Sequence, residues 1–330
     1  MRNPLVDSYE LIIKLIDNSD SIAVISHCNP DGDTLGCALA MYQALLNYNK
    51  KVHIFCENTP GRKYKTLFKV DDFNKYDYLE NRYDLAIAVD TADIDRLGRY
   101  KFLFKNTKYQ VQIDHHTINN KYAKNVNIVE KAAANAENVY LFLEYFDKIK
   151  NNKIITDNVA AMLYVGLLTD SGCFAFSSTT PQTFDIASKL IKYNFNYRDY
   201  PDIYVNSMDY PTYLLKQRCI NKAKFYDNNR IAISVFSQID FMETGTDMSC
   251  TDGIIRNLIN VDTVKVAVCL TEINEYLYKC SIRSKGNISA AEIAAVFNGG
   301  GHFNASGCQI AGHIEDTKDK LLKAIRDRLE

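Results

Sequence analysis

Four short apolar runs near the amino end constrain the fold most: Ser21–Ser26 (SIAVIS), Lys51–Cys56 (KVHIFC), Leu85–Asp90 (LAIAVD) and Tyr109–Asp114 (YQVQID). The first and third are near-continuous in apolar residues, while the fourth carries Gln110 and Gln112. Near-continuous apolar character is what a strand shows when both faces of its sheet are covered. Between the first two runs, Leu35, Leu39, Tyr42 and Leu46 recur at helical spacing. An Ala-rich helical run, about Ala132 to Tyr145, follows the fourth, and another spans Asp157–Leu168. Thr180 followed by Pro181 is a start signal for a further helix, to about Tyr193. This alternation predicts an α/β domain over 1–195, a parallel sheet with helices on both faces.

The pattern changes towards the carboxyl end. RIAISVFS, VKVAVCLTEI and EYLYKCSIRS read as strands, the last two close enough for a hairpin. Ser289 and Glu292 have capping-box spacing, so a helix starts there, with Gly299 as its stop. A strand over Ala305–Ala311 and a helix over Asp316–Arg328 complete a smaller α+β domain, 228–330. The stretch 196–227, rich in Tyr, Asn and Lys with Pro201 and Pro211, reads as a connector with short helices and as a natural hinge. Its aromatics allow a homodimer without demanding one.

A length of 330 residues suits two domains. The net charge of −1 excludes a globally basic nucleic-acid coat and makes long nucleic acid a poor partner. No apolar run approaches the roughly 20 residues of a membrane span. The start, Met1 to Asp20, carries acids within its apolar stretch and reads as an amphipathic helix, not a signal peptide. The nine cysteines are odd in number and none is spaced CxxC, which argues for free thiols in a reducing cytoplasm and against a structural zinc cage.

Ligands of open parallel sheets bind at the carboxyl ends of the strands. Four acidic clusters fall at such ends or at a helix end: His27 to Asp33 (HCNPDGD), Asp90 to Asp93 (DTAD), Asp114-His115-His116, and Thr169 to Gly172 (TDSG). Any one of them also reads as a turn. Together, carboxylates meeting at one sheet edge would repel strongly without a cation. The mixed imidazole and carboxylate set suits Mn²⁺ or a similar divalent ion. With six candidate ligands, two ions fit better than one, and a pair ~3.5–4 Å apart serves in-line attack on phosphorus.

Asn298-Gly299-Gly300-Gly301-His302 lets backbone amides approach an anion closely. Upstream, Ser281-Ile282-Arg283-Ser284-Lys285 ends a strand with two cations. A helix cap plus a surface pair is the bland alternative. His53, mid-strand, and His313 read as structural. Cys28 reads as a bystander, although it could coordinate a soft metal. Arg62-Lys63-Tyr64-Lys65 reads equally as a solvated loop or a phosphate-contacting patch.

The Asp114-His115-His116 triplet, preceded by His27-x-x-x-Asp31-x-Asp33, resembles the DHH phosphoesterase superfamily. The Arg283-Ser284-Lys285 and Gly299–His302 motifs resemble its DHHA1 branch. The resemblance covers almost the whole chain and is most like the NrnA-type oligoribonuclease/pAp phosphatases. It implies a cleft between two domains and two divalent ions, Mn²⁺. His27, Asp31 and Asp90 match the ligands of one ion. Asp33, Asp90, His115 and Asp170 match those of the other, with Asp90 bridging. His116 matches a residue facing the substrate phosphate, and Asp114 one that orients His115 or its neighbours. Arg283, Ser284, His302 and the amides of Gly300 and Gly301 match the substrate-binding side. Thr34, Cys37 and Ser171 stand where Ala, Ser and Thr are commoner, and none removes a ligand. The expected activity is hydrolysis of very short RNA or dinucleotides such as pApA from the 5′ end, or of pAp to AMP. Cyclic di-AMP is the alternative substrate, and a non-catalytic nucleotide sensor the alternative class.

Overall fold

A computed structural model describes residues 4–251 and 253–329. Tertiary contacts divide the chain into two units, 1–207 and 208–330. The amino-terminal unit runs α1 (Pro4–Asp17), β1 (Ser21–Ser26), α2 (Gly32–Asn47), β2 (Lys51–Phe55), β3 (Leu85–Val89), α3 (Lys101–Asn106), β4 (Tyr109–Asp114), β5 (Val126–Val129), α4 (Asn135–Lys150), α5 (Asp157–Asp170) and α6 (Pro181–Leu190). The first three residues of the expected amino-terminal helix lie outside the described residues.

All five strands are parallel, in the order β2-β1-β3-β4-β5. The chain leaves β1 for β2 on one side and returns to β3 on the other. The carboxyl ends of β1 and β3 therefore flank the point where the winding reverses, where open sheets form a crevice. The apolar runs are buried on both faces as expected: Ile22, Val24, Ile87 and Val89 meet α2, α4 and α5 in one cluster, while Ala23, Ile25, Ala86 and Ala88 meet Leu97, Tyr100 and Phe104 in another. The helix α2 is buried almost all round, well beyond the single apolar face read from its spacing.

The second unit runs α7 (Tyr210–Lys222), β6 (Lys224–Tyr226), β7 (Ile231–Phe236), α8 (Gln238–Thr244), α9 (Ile255–Ile259), β8 (Val266–Asn274), β9 (Leu277–Ser284), α10 (Ala290–Ala295), β10 (Gly300–His302), β11 (Ala305–Ala311) and α11 (Ile314–Arg326). Its mixed sheet has the order β10-β11-β9-β8-β7-β6, parallel only between β7 and β8. One face packs Cys280, Ile282, Cys308 and Ile310 against α10 and α11. Over β7 and β8 the other face is covered by Leu215, Phe241, Ile255 and Leu258. Of the expected connector 196–227, residues through Ser207 fall in the first unit and those from Met208 in the second, where Leu215 and Cys219 are fully buried.

Candidate active site

The acidic clusters occupy the edge that the winding defines. His27 follows the last residue of β1 and is buried. Its Nδ1 lies 2.6 Å from the Cys28 carbonyl. A carbonyl only accepts, so Nδ1 carries a proton, and Nε2 is turned towards Asp90, 3.6 Å from Oδ2. Asp31 caps α2 by accepting from the Thr34 amide. Asp33, in the first turn of α2, is fully buried and receives the amides of Asn135 and Ala136 at the start of α4. Asp90 follows β3 in a left-handed conformation, which a short polar side chain tolerates. Its amide still pairs with Ile113.

His115 Nε2 lies 3.5 Å from Asp90 Oδ1, 3.5 Å from Asp170 Oδ2 and 4.0 Å from Asp33 Oδ2. Its Nδ1 faces the Ala132 carbonyl at 3.2 Å, which turns Nε2 towards the carboxylates. Asp114 meets His116, not His115: Oδ1 lies 2.9 Å from His116 Nδ1, and Oδ2 accepts from Asn119. Three groups have ligand atoms within 4.8 Å of one another: His27, Asp31 and Asp90; Asp33, His115 and Asp170; and Asp90, His115 and His116. Asp90 belongs to two of them. All eight expected residues of this cluster thus come together from segments far apart in the chain.

Two observations test whether this arrangement suits cations. Asp90 Oδ1 is buried and accepts no hydrogen bond among the described residues. A buried, unpaired carboxylate oxygen is costly unless a positive charge faces it. Burial, followed by the charges of Asp90 and Asp31, lifts the Asp170 carboxyl to about 8. Burial, then Asp170, Asp90 and Asp31, lifts that of Asp33 well above the carboxylate range despite its backbone donors. For Asp90, burial also acts upward, but His27 and His115 outweigh it and hold the group at about 2. His116 is raised by its Asp114 hydrogen bond, against burial and the Arg96 charge. Such a donor set of hard oxygens and imidazoles fits divalent ions of the Mn²⁺ type.

Two residues join this site beyond those expected: Thr34, expected only as a departure from the family pattern, and Arg96. The Thr34 hydroxyl bridges His27 Nε2 and Asp90 Oδ2, 2.5 Å from each. Arg96, in the 3-10 helical segment Ile94–Tyr100 after β3, brings Nη2 within 3.2 Å of His27 Nδ1. The hydroxyl at position 34, in place of the commoner Ala, was the available signal; Arg96 carried none.

In the second unit, Arg283 pairs with Ala305, which pairs with His302. Directly opposed residues share a face, so Arg283 and His302 stand in one row with only a methyl group between them. Strand alternation puts Ser284 on the other face: it is buried, and its hydroxyl accepts from Asn304. The glycine segment is an edge strand, not a loop. A Cβ on Gly299 would stand 2.4 Å from the Cβ of Cys308, and one on Gly301 2.7 Å from the Ala305 carbonyl, so these two glycines permit close strand packing. Gly300 faces open space.

A profile of the DHH family, N-terminal domain, matches residues 21–167, and one of the DHHA1 domain matches 228–330. The chain belongs to the DHH/DHHA1 phosphoesterases, hydrolases acting on phosphoric esters. It is similar to the Mycoplasma genitalium protein MG371, 30% identical over 95% of this chain and 92% of that one. It is also similar to the Bacillus subtilis protein named bifunctional oligoribonuclease and PAP phosphatase NrnA, 26% identical over 94% of this chain and 95% of that one. A crystal structure of an exopolyphosphatase-related protein from Bacteroides fragilis shares the fold, with a TM-score of 0.84 and 22% identity over 98% of this chain and 96% of that one.

Proposed function

We propose that this protein hydrolyses very short oligonucleotides, dinucleotides such as pApA among them, from the 5′ end, and pAp to AMP, using two Mn²⁺ ions. The observation that carries the reading is the approach of His27, Asp31, Asp33, Asp90, His115 and Asp170 around a buried, unpaired Asp90 oxygen. The name of the Bacillus subtilis relative supports the substrate class.

His27, Asp31 and Asp90 would hold one ion; Asp33, Asp90, His115 and Asp170 the other. Bound there, the ions acidify a water molecule and offset negative charge on the phosphorus oxygens. His116, kept protonated towards higher pH by Asp114, faces the same carboxylate and can donate to a phosphate oxygen or to the departing group. The backbone donors at Asp33 and the carbonyl at His115 fix the ligands before substrate arrives, so little reorganisation accompanies reaction. On the second unit, Arg283 and His302 stand in one row as two donors suited to a nucleotide, beside the edge strand of Gly300 and Gly301. Ser284 holds the turn instead. All nine cysteines are free thiols, which supports a reducing cytoplasmic setting.

Protein stripped by chelator and resupplied with Mn²⁺ should release mononucleotides from labelled pApA and AMP from pAp. Absence of turnover on pApA, pAp and cyclic di-AMP alike would remove the proposal.

A further inference from the structure

Arg96 is held where an anion would meet it. Its backbone is fixed at both groups: the amide donates to the Asp93 carbonyl at 3.0 Å, and its carbonyl receives the Cys28 amide at 2.7 Å, tying it to the first motif. The cations next to it along the chain are occupied. Lys101 pairs with Asp95, and Arg99 donates to the Glu57 carbonyl. No carboxylate lies within ion-pair distance of Arg96 among the described residues, and its guanidinium has one contact, the 3.2 Å approach to His27 Nδ1. That contact is not a hydrogen bond in the useful sense, because Nδ1 already spends its proton on the Cys28 carbonyl and has no lone pair to offer.

The guanidinium therefore stands against the edge of a carboxylate cluster with its planar fork of donors unspent. A phosphate entering that cluster meets Asp31, Asp33, Asp90, Asp114 and Asp170, and Arg96 is the cation already present beside His27 to offset them. Planar bidentate donation suits two oxygens of one phosphate group.

We propose that Arg96 is a catalytic residue that binds the non-bridging oxygens of the phosphate being hydrolysed. This rests on the reading of the cluster as a phosphoesterase centre. It does not depend on which nucleotide is the substrate, since it concerns the phosphate alone.

The test uses the full chain loaded with Mn²⁺ and inorganic phosphate as the probe, read by calorimetry. Arg96→Ala should weaken phosphate binding at least about tenfold, and Arg96→Lys should restore part of it, because a point charge replaces the fork. Metal stoichiometry and affinity should match the unaltered protein, and Arg99→Ala, whose side chain is engaged by Glu57, should behave like it throughout. On pApA, kcat/KM of Arg96→Ala should fall by about a hundredfold, the range for losing one charged donor at a transition state. Phosphate affinity within twofold of the unaltered protein would overturn the assignment. So would loss of bound metal in Arg96→Ala, which would make the residue a support for His27. Should Arg96→Ala not fold, Arg96→Gln is read by the same measures. If phosphate binding depends on Arg96 but no nucleotide is turned over, this inference stands and the substrate reading falls.

Discussion

Gly166, in the middle of α5, lies so close to Asp33 that a Cβ on it would stand 2.6 Å from the carboxylate Oδ1. The same crossing brings Gly36 of α2 against the Met162 carbonyl, where a Cβ would sit at 2.4 Å. Two glycines thus let α2 and α5 approach closely, and this approach brings Asp33 and Asp170 to one point.

Gly166→Ala should weaken Mn²⁺ binding at least about tenfold and lower the melting temperature, although Ala in an ordinary helix gains up to ~1 kcal/mol over Gly. Calorimetric titration with metal, together with a melting curve, checks this. A more stable variant that binds metal normally would show that the close approach does not set the site.

Asp90→Ala should remove activity by at least about a thousandfold, since several kcal/mol of charge stabilisation go with the cations. Elemental analysis should find both ions depleted, because Asp90 faces His27 on one side and His115 on the other. A variant that kept one ion at full occupancy and a rate near the original would contradict the bridging position.

The metal-free protein should lose stability as pH rises from about 5 to about 8. Asp170 and Asp33 have folded-state pKa values raised above the unfolded carboxylate range, and His116 is raised as well. In that window the folded state holds more protons than the unfolded one, so stability falls with pH. Asp90 acts oppositely, but only below about 4, because its folded value is near 2. Metal binding near pH 7 should accordingly release protons, seen as a dependence of binding enthalpy on the ionisation heat of the buffer. Flat melting temperatures across this range in the presence of chelator would refute the assignment.

Arg283→Ala should raise KM for pApA by about tenfold with kcat little changed, since on the proposed function Arg283 contacts substrate away from the attacked phosphorus. His302→Ala, in the same row, should act in the same sense. A loss confined to kcat would move Arg283 into the chemistry.

Four of the five parallel strands, and the acidic clusters after β1, β3 and β4, were legible along the chain, because burial leaves a local mark on composition and strand ends are local too. The short β5 was not read: Val126–Val129 has four residues and alternates between buried and half-buried positions. The sequence by itself determined which side chains stand at strand ends and which chemistry they can do. Only the tertiary structure decided who meets whom. The approach of α2 to α5 joins Asp33 to Asp170. Strand alternation parts Ser284 from Arg283, and a 3-10 helical segment sets Arg96 beside His27, 69 residues away in the chain. These pairings depend on how closely packed elements can approach and on which neighbour neutralises each charge, and neither is written in any local stretch of residues.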